Sequence, residues 1–526
     1  VTTQAARAQI APVPLRGGSA VAVAILCGLL FLTFLDNTVV SVALGDIQHT
    51  MHATVTQLQW MINGYALAFA ALMLPAGAIS DEFGRKRVML AGTVLFCAGS
   101  VVCAVANHPQ PLIAGRVVMG VGAAASEPGT LSMLRQLFPD EPMRGRVFGI
   151  WAAVSGLALA LGPVVGGALV GLGGWRLIFW AGLALGVVLL VGAAMVLPES
   201  ADPQAHRLDV AGALLGIVAL AAVVDAVARA EVLGYSEAGV VIRLSVSAVA
   251  GVGFIVREQR AEHPLLDLRG VDKRVFAVAN VAAFTTYFAT FAVFLFTALY
   301  LQQVASYGGF RIAVQFLPLT GGMLLAALAA GVWTGRRGAR MPMVVGCTTF
   351  GLGLLAVTAV ISPAPNVPLL TLSLGIVGIG IGLTVVPITD AALAAAPPEK
   401  SGLAASATNT SRELGAVVGV AVLGAVVSSR LVSDLTASLT RIGIPHFFQG
   451  LIINAIVRSG AGDYQKLVAG HQRIQREVVV AAHDAFGNGL HIALVTSAGL
   501  VFATVILELA MLRRRRRRGQ STKAGQ

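Results

Sequence analysis

The sequence predicts an all-α integral membrane protein of fourteen transmembrane helices, organised as two six-helix halves with two spacer helices between them. Three observations lead there: a composition too apolar for a soluble fold, a succession of apolar runs of bilayer-spanning length, and the placement of positive charge between those runs. Of 526 residues, 56% are hydrophobic and 12% charged, whereas soluble domains average about 25% charged. The mean hydropathy is +0.81. The 60 glycines suit helices that pack closely in lipid.

A bilayer core requires about 20 apolar residues per helix. Runs of that size fall at 19–44, 58–80, 88–106, 110–134, 147–171, 176–197, 208–229, 238–256, 275–301, 312–333, 341–361, 367–391, 405–429 and 489–512. They divide the chain into a cytoplasmic N-terminal segment (1–18), an N-terminal six-helix half (19–197), two spacer helices (198–257), a C-terminal half (258–512) with a long external segment at 431–488, and a basic cytoplasmic tail (513–526). Arg7 and Arg16 before the first run resemble the start of a signal peptide. The run that follows is too long for one and lacks a clean cleavage site, so it reads as a retained helix.

Positive charge tests the count. With the N-terminus in the cytoplasm, the clusters Arg85-Lys86-Arg87, Arg135 with Arg144 and Arg146, the stretch Arg257 to Arg274, Arg336-Arg337 with Arg340, and the run Arg513 to Arg518 all fall on the cytoplasmic side. That satisfies the positive-inside rule, and an odd number of helices would strand the final arginine run outside. The basic residues of the segment Arg430 to Arg476 are external, where a long loop crosses regardless of charge. The net charge of +12 is thus explained by orientation and anionic lipid. Nucleic-acid binding is excluded, since no basic groove-filling helix and no aromatic interleaving accompany it.

Cys27, Cys97, Cys103 and Cys347 lie inside apolar runs without metal-ligand spacing, so they read as small packing residues and imply neither disulfides nor a metal site. The external segment carries no catalytic constellation. It is expected to be a partly helical loop, with Tyr464 to Val480 as a candidate surface-lying amphipathic helix and a cap over an exit path as the alternative. A weak internal repeat places Leu74-Pro75 before the basic loop at Gly84 to Arg87, and Leu317-Pro318 before Gly335 to Gly338. Each sits on the second helix of its half, as in transporters built from repeats around a central site.

Four elements carry chemistry. Asp36, followed by Asn37 and Thr38, puts a carboxylate in the first apolar run. A charge there must face a cavity or a partner, and burial disfavours its ionised form. That suits a group that binds a proton on one side and releases it on the other. The bland alternative is a structural carboxylate capped by Thr33 or Thr38. The loop from Gly77 through Asp81 and Gly84 to Arg85 and Arg87 joins helices two and three, its glycines permitting a tight turn. Asp81 is placed to pair with a neighbouring cation and latch one conformation, though a plain topogenic loop would look similar.

In the fourth helix, Arg116, Gly120 and Glu127 fall on one stripe, because eleven steps of about 100° return to nearly the same face. A permanently charged arginine can tune nearby carboxylates. Gly156, Gly162-Pro163 and Gly166-Gly167 in the fifth helix combine a bend with close packing. Secondary candidates are Asp225 on a spacer helix, Asp390 near a helix end, and the neighbours Arg412 and Glu413, which project about 100° apart on a helix and need not pair. Phe284, Tyr287, Phe291 and Phe294 recur at helical spacing and either line a pocket or simply pack.

Together these elements resemble the major facilitator superfamily, and within it the fourteen-helix drug:proton antiporters. The loop Gly77 to Arg87 is similar to the signature between helices two and three. Asp36 matches the first-helix aspartate, Arg116 the fourth-helix arginine, and Gly156 to Gly167 the antiporter motif of helix five, followed by Gly174-Trp175-Arg176 and Phe179. Tyr300-Leu301-Gln302-Gln303 and Asn409 with Arg412-Glu413-Leu414-Gly415 also resemble that family, over roughly 20–512. Two departures stand out. Glu82 occupies a position that is usually basic, and the loop Gly331 to Arg340 lacks the acidic residue of its first-half counterpart.

The resemblance implies proton-coupled export of drugs or other amphipathic small molecules by alternating access, from a multi-pass protein of the cell membrane with both termini cytoplasmic. Proton-coupling residues would be Asp36, Arg116 and Glu127. Candidate cavity residues are Asn37, Asn409, Arg412, Glu413, Phe284, Tyr287 and Phe291. The expected partners are the small molecule, protons and membrane lipid, with the chain a monomer. No cofactor is expected: the sequence has no Gly-rich loop ending in Gly-Lys-Ser/Thr, and the proton gradient would supply the energy. The alternatives are a dedicated exporter or flippase of an endogenous metabolite or lipid, or an uptake symporter. An embedded enzyme is disfavoured, because the histidines lie mostly outside the apolar runs and no nucleophile, base and metal ligands converge.

Overall fold

Lipid offers no partners to backbone N–H and C=O groups, so apolar spans of this kind close their hydrogen bonds internally as helices. The computed structural model describes residues 19–138, 141–201, 209–233, 237–261, 269–305, 307–362, 366–397, 401–459 and 472–523. The predicted segment 1–18 and the central part of the basic stretch 257–274 lie outside the described residues. The first half consists of α1 (Ser19–Val39), a 3₁₀ turn (Val40–Ala43), α2 (Leu44–Met51), α3 (Val55–Phe83), α4 (Arg85–Val105), α5 (Pro109–Leu137), α6 (Glu141–Gly173) and α7 (Arg176–Val196). The spacers are α8 (Val210–Leu233) and α9 (Ala238–Arg260). The second half comprises α10 (Lys273–Gln303), α11 (Gly309–Arg337), α12 (Arg340–Val360), α13 (Val367–Ala394), α14 (Ser401–Ile442), α15 (His446–Ser459) and α16 (Gln472–Lys523).

Among the described residues, eleven helices are long and apolar enough to cross a membrane, or twelve if the pair Gln57–Met73 and Pro75–Phe83, bent by 53°, is one span. The predicted spans at 110–134 and 208–229 are occupied by α5, of 29 residues, and α8, of 24. The bend in α3 falls at Pro75, whose ring removes a backbone hydrogen bond. Its start is held by a capping box: the Thr54 hydroxyl accepts from Gln57 N–H at 3.3 Å, and Thr54 N–H donates to Gln57 Oε1 at 2.9 Å.

The halves meet by a reciprocal arrangement. The second helix of each packs against the fifth of the other, α3 on α14 and α11 on α6. At the end carrying the Gly77–Arg87 loop, Gly77 approaches Ser406; at the opposite end Gly45 lies against Gln302. The spacer α8 packs on both halves, with Val224 against Ala66, Leu67 and Val417, while α9 buries only Val240 and Ala250. The hairpin is stapled near both ends, by Arg257 to Asp209 at 3.0 Å and by Arg243 to Asp225 at 2.6 Å.

The segment 431–488 departs from the expected loop. At 1.5 Å per residue, the 42 residues of α14 and the 52 of α16 far exceed a hydrocarbon core of about 30 Å. Their projecting ends join α15 around a core of Leu435, Leu439, Ile452, Ile456 and Val478. Of the predicted surface helix Tyr464 to Val480, residues 464–471 lie outside the described residues. The remainder is the start of α16, with Val478 fully buried in that core rather than lying along a membrane surface.

Candidate functional site

Asp36 sits at the last turn of α1, just before the helix tightens into the 3₁₀ turn, a frequent mark of a hinge. Its carboxylate pairs with Arg116 Nη1, and side-chain exposures of 6% and 0% put both charges out of water. Arg116 also donates from Nε to the Met61 carbonyl at 2.9 Å, and its guanidinium lies 4.4 Å from the centre of the Tyr65 ring. Tyr65 in turn donates its hydroxyl to the Thr33 carbonyl at 2.8 Å. The partner of Asp36 is therefore a buried cation on α5, and the Thr33 hydroxyl donates instead to the Leu30 carbonyl.

Two hydrogen bonds cross between the halves. Asn37 Nδ2 donates to Glu413 Oε2 at 2.8 Å, and Asn409 Nδ2 donates to Glu127 Oε1 at 2.7 Å. Each half thus offers one asparagine amide to a buried glutamate of the other, and all four residues are at most 3% exposed. Arg412 Nη1 reaches Asn409 Oδ1 at 3.1 Å, while its Nη2 reaches the Val385 carbonyl at 3.3 Å and the Thr389 hydroxyl. Its guanidinium lies 5.4 Å from the Tyr287 ring. Arg412 and Glu413 make separate contacts, consistent with their divergent directions along α14.

The second half mirrors the first, with a buried arginine beside a tyrosine ring on each side. Several polar atoms at this seam have no hydrogen-bond partner among the described residues: Asn37 Oδ1, Arg116 Nη2, Glu127 Oε2, Tyr287 Oη, Arg412 Nε and Glu413 Oε1. Leaving such a group unpaired costs on the order of 1–3 kcal/mol, so their concentration at one place marks it for a ligand, water or protons. Of the aromatic candidates, Tyr287, Phe291 and Phe294 are buried and Phe284 is partly so. Phe294 packs on Phe316, and Tyr287 faces the charged network through Arg412.

The fifth-helix motif acts on α1. A Cβ at Gly162 would run into the Thr38 side chain and the Val39 amide, and one at Gly166 into the Val39 carbonyl. These glycines let α6 lie against the backbone just past Asp36. Pro163 is inside the same helix, and Gly167 is buried. Gly156 is looser, with only the Met323 methyl at 3.9 Å among the described residues.

In the loop after α3, Asp81 pairs at 2.8 Å with Arg85 four residues on, the first residue of the neighbouring helix α4. Gly84 adopts φ +109°, a left-handed conformation that favours glycine. The chain just after α7 clamps this turn. Glu199 accepts from Lys86 N–H at 3.1 Å and pairs with Arg87 at 3.4 Å, and Ser200 O accepts from Arg85 N–H at 2.7 Å. Glu82 is exposed, as is Asp390.

Asp225 is taken up by Arg229 and Arg243 on the spacer hairpin. Sequence reasoning missed Tyr65, Thr389 and Glu199, none of which stands out in a run of apolar or loop residues. It also missed Glu508, a charge inside the last apolar run that inspection could have found.

A profile of the Major Facilitator Superfamily matches residues 26–420. The chain belongs to the major facilitator superfamily. Within it, the chain is 32% identical over 471 residues to the multidrug resistance protein Stp of Mycobacterium tuberculosis, covering 89% of this chain and 87% of that one. It is 33% identical over 462 residues to the methylenomycin A resistance protein of Streptomyces coelicolor, covering 86% and 96%. The superfamily fold is also seen in a solved structure, a bacterial homologue of the human lysosomal transporter Spinster in an inward-facing and occupied conformation. It superposes with a TM-score of 0.61 at 15% identity, covering 94% of this chain and 97% of that one. The protein is thus a multi-pass membrane transporter of the major facilitator superfamily with drug-resistance proteins among its relatives.

Proposed function

We propose that this transporter exports drugs or similar amphipathic small molecules in exchange for protons, by alternating access around the seam between its halves. The observation that carries the reading is the buried network of Asp36, Arg116, Glu127, Asn409, Arg412 and Glu413. It joins the halves by two hydrogen bonds to carboxylates and leaves polar atoms unpaired at their junction. Protonating a carboxylate removes its negative charge and one acceptor, so a proton and a substrate that both engage these groups would compete. That competition is what couples the two flows. The drug-resistance relatives support export of small molecules. The basic clusters between the apolar runs support a cytoplasmic position for both termini, and the chain is read as a monomer.

The test uses sealed inverted vesicles holding an acid-inside gradient, challenged with cationic and neutral antibiotics. Some compounds should dissipate the gradient in the parent and none in Asp36→Asn, with the variant verified as folded. Asp225→Asn serves as the control, because Asp225 is paired away from the seam. It should transport like the parent and lose no more than about 1 kcal/mol of stability, the scale of a partly exposed ion pair. Antibiotics that leave the parent's gradient untouched would count against drug–proton exchange, and Asp36→Asn working like the parent would remove Asp36 from the coupling.

A further inference from the structure

One polar cluster in the second half takes no part in the seam. Glu508, on α16, is 6% exposed. Its Oε1 lies 3.6 Å from Cys347 Sγ on α12, and its Oε2 has no hydrogen-bond partner among the described residues. Thr286 on α10 and Thr384 on α13 lie against the same thiol, both fully buried, and the Thr286 hydroxyl oxygen also lacks a partner among the described residues. One turn before Glu508, the Thr504 hydroxyl lies 3.0 Å from that of Thr285.

Among the described residues no cation answers this carboxyl. Glu508 makes no ion pair among the described residues. On α10 the nearest charged residue before Thr286 is Arg274, twelve residues or about 18 Å along the axis. On α12 Arg340 stands seven residues before Cys347, and on α13 the exposed Asp390 stands six residues past Thr384. On α14 Arg412 and Glu413 are engaged at the seam. On α16 itself the run Arg513 to Arg518 begins five residues further along. Among the described residues the one titratable group in contact is Cys347.

The surroundings also favour one state of the acid. An ionised carboxylate needs several strong donors, and among the described residues the weak Cys347 thiol is the one within hydrogen-bonding reach of Glu508. A protonated carboxyl avoids the cost of a bare charge in a medium that cannot solvate one.

We propose that Glu508 is a proton-binding site in its own right, a carboxyl held neutral against a thiol that Thr286 and Thr384 flank, where α10, α12, α13 and α16 meet. It lies one residue out of step with the seam: Thr286 adjoins Tyr287 on α10, and Thr384 adjoins Val385 on α13. The site belongs to the body of the second half and stays with it when the halves rock.

Infrared difference spectroscopy on the full-length protein in lipid tests this without any transport, so the result is independent of the export reading. At neutral pH in choline buffer, parent minus Glu508→Gln should show the carbonyl stretch of one protonated carboxylic acid and no matching change in the carboxylate bands. The variant should melt with the parent, since glutamine has the shape and neutral polarity of the protonated acid. In Cys347→Ala the same carbonyl band should move, because the thiol that touches the carboxyl is gone. Loss of carboxylate bands in Glu508→Gln would overturn the proposal, with the arginine run as the counter-charge. A carbonyl band that vanishes on adding sodium would overturn it in favour of an alkali-cation site. A Glu508→Gln protein that fails to fold, or a band unmoved in Cys347→Ala, would also overturn it.

Discussion

Replacing Arg116 by methionine should cost about 3–5 kcal/mol of stability, the range for removing one partner of a buried ion pair. The change would be read as a fall in the unfolding midpoint of the purified protein. The size of the effect follows from burial: Arg116 is fully buried and Asp36 5% exposed, so a carboxylate stripped of its partner has no water to turn to. The loss also removes the hydrogen bond to the Met61 carbonyl and the guanidinium from the Tyr65 ring. Making the pair neutral on both sides, as Asp36→Asn with Arg116→Gln, should recover most of that stability because no bare charge remains. The double variant should nonetheless move no protons with drug. A double variant as unstable as Arg116→Met would show that charge is not what the pair contributes. One that still couples would take the proton away from Asp36.

A second large effect is expected on the face where α6 meets α1. Gly166→Ala drives a methyl into the Val39 carbonyl, and Gly162→Ala drives one into Thr38 and the Val39 amide. Backbone cannot rotate out of the way as a side chain can, so α6 must move off α1 beside Asp36. Overpacking of this kind costs about 1–3 kcal/mol, and transport should fall with it because the displaced segment adjoins the proposed proton carrier. Gly156→Ala provides the comparison. Its new methyl would meet only the Met323 methyl at ordinary distance, and alanine favours the helix over glycine, so that variant should unfold at the parent's temperature or above. Equal melting of Gly156→Ala and Gly166→Ala would remove the steric account of the motif.

The class of fold was legible because lipid imposes a simple rule on sequence. Spans must be apolar and about twenty residues long, and the basic clusters must sit between them. That rule located most of the helices within a few residues, and it marked Asp36 as a charge that requires a cavity or a partner and Arg116 and Glu413 as further ionisable groups inside apolar runs. It failed where its premise did. The segment 431–488 is polar enough to read as a loop, yet α14 and α16 run on through it, because Leu435, Leu439 and Val478 find one another in a small core outside the apolar spans. Spacing along one helix placed Arg116 and Glu127 on a common stripe without revealing that they serve different partners on different helices.

Composition, span length and charge placement are local properties of the chain, and from them follow a helical membrane protein and most of the charges it buries, Glu508 excepted. Which charge meets which is a property of helices hundreds of residues apart. Asn37 reaches Glu413 across 376 positions and Asn409 reaches Glu127 across 282. Only the packing of α3 on α14 and α6 on α11 brings them within hydrogen-bonding distance, since no periodicity along one helix carries information about the face of another.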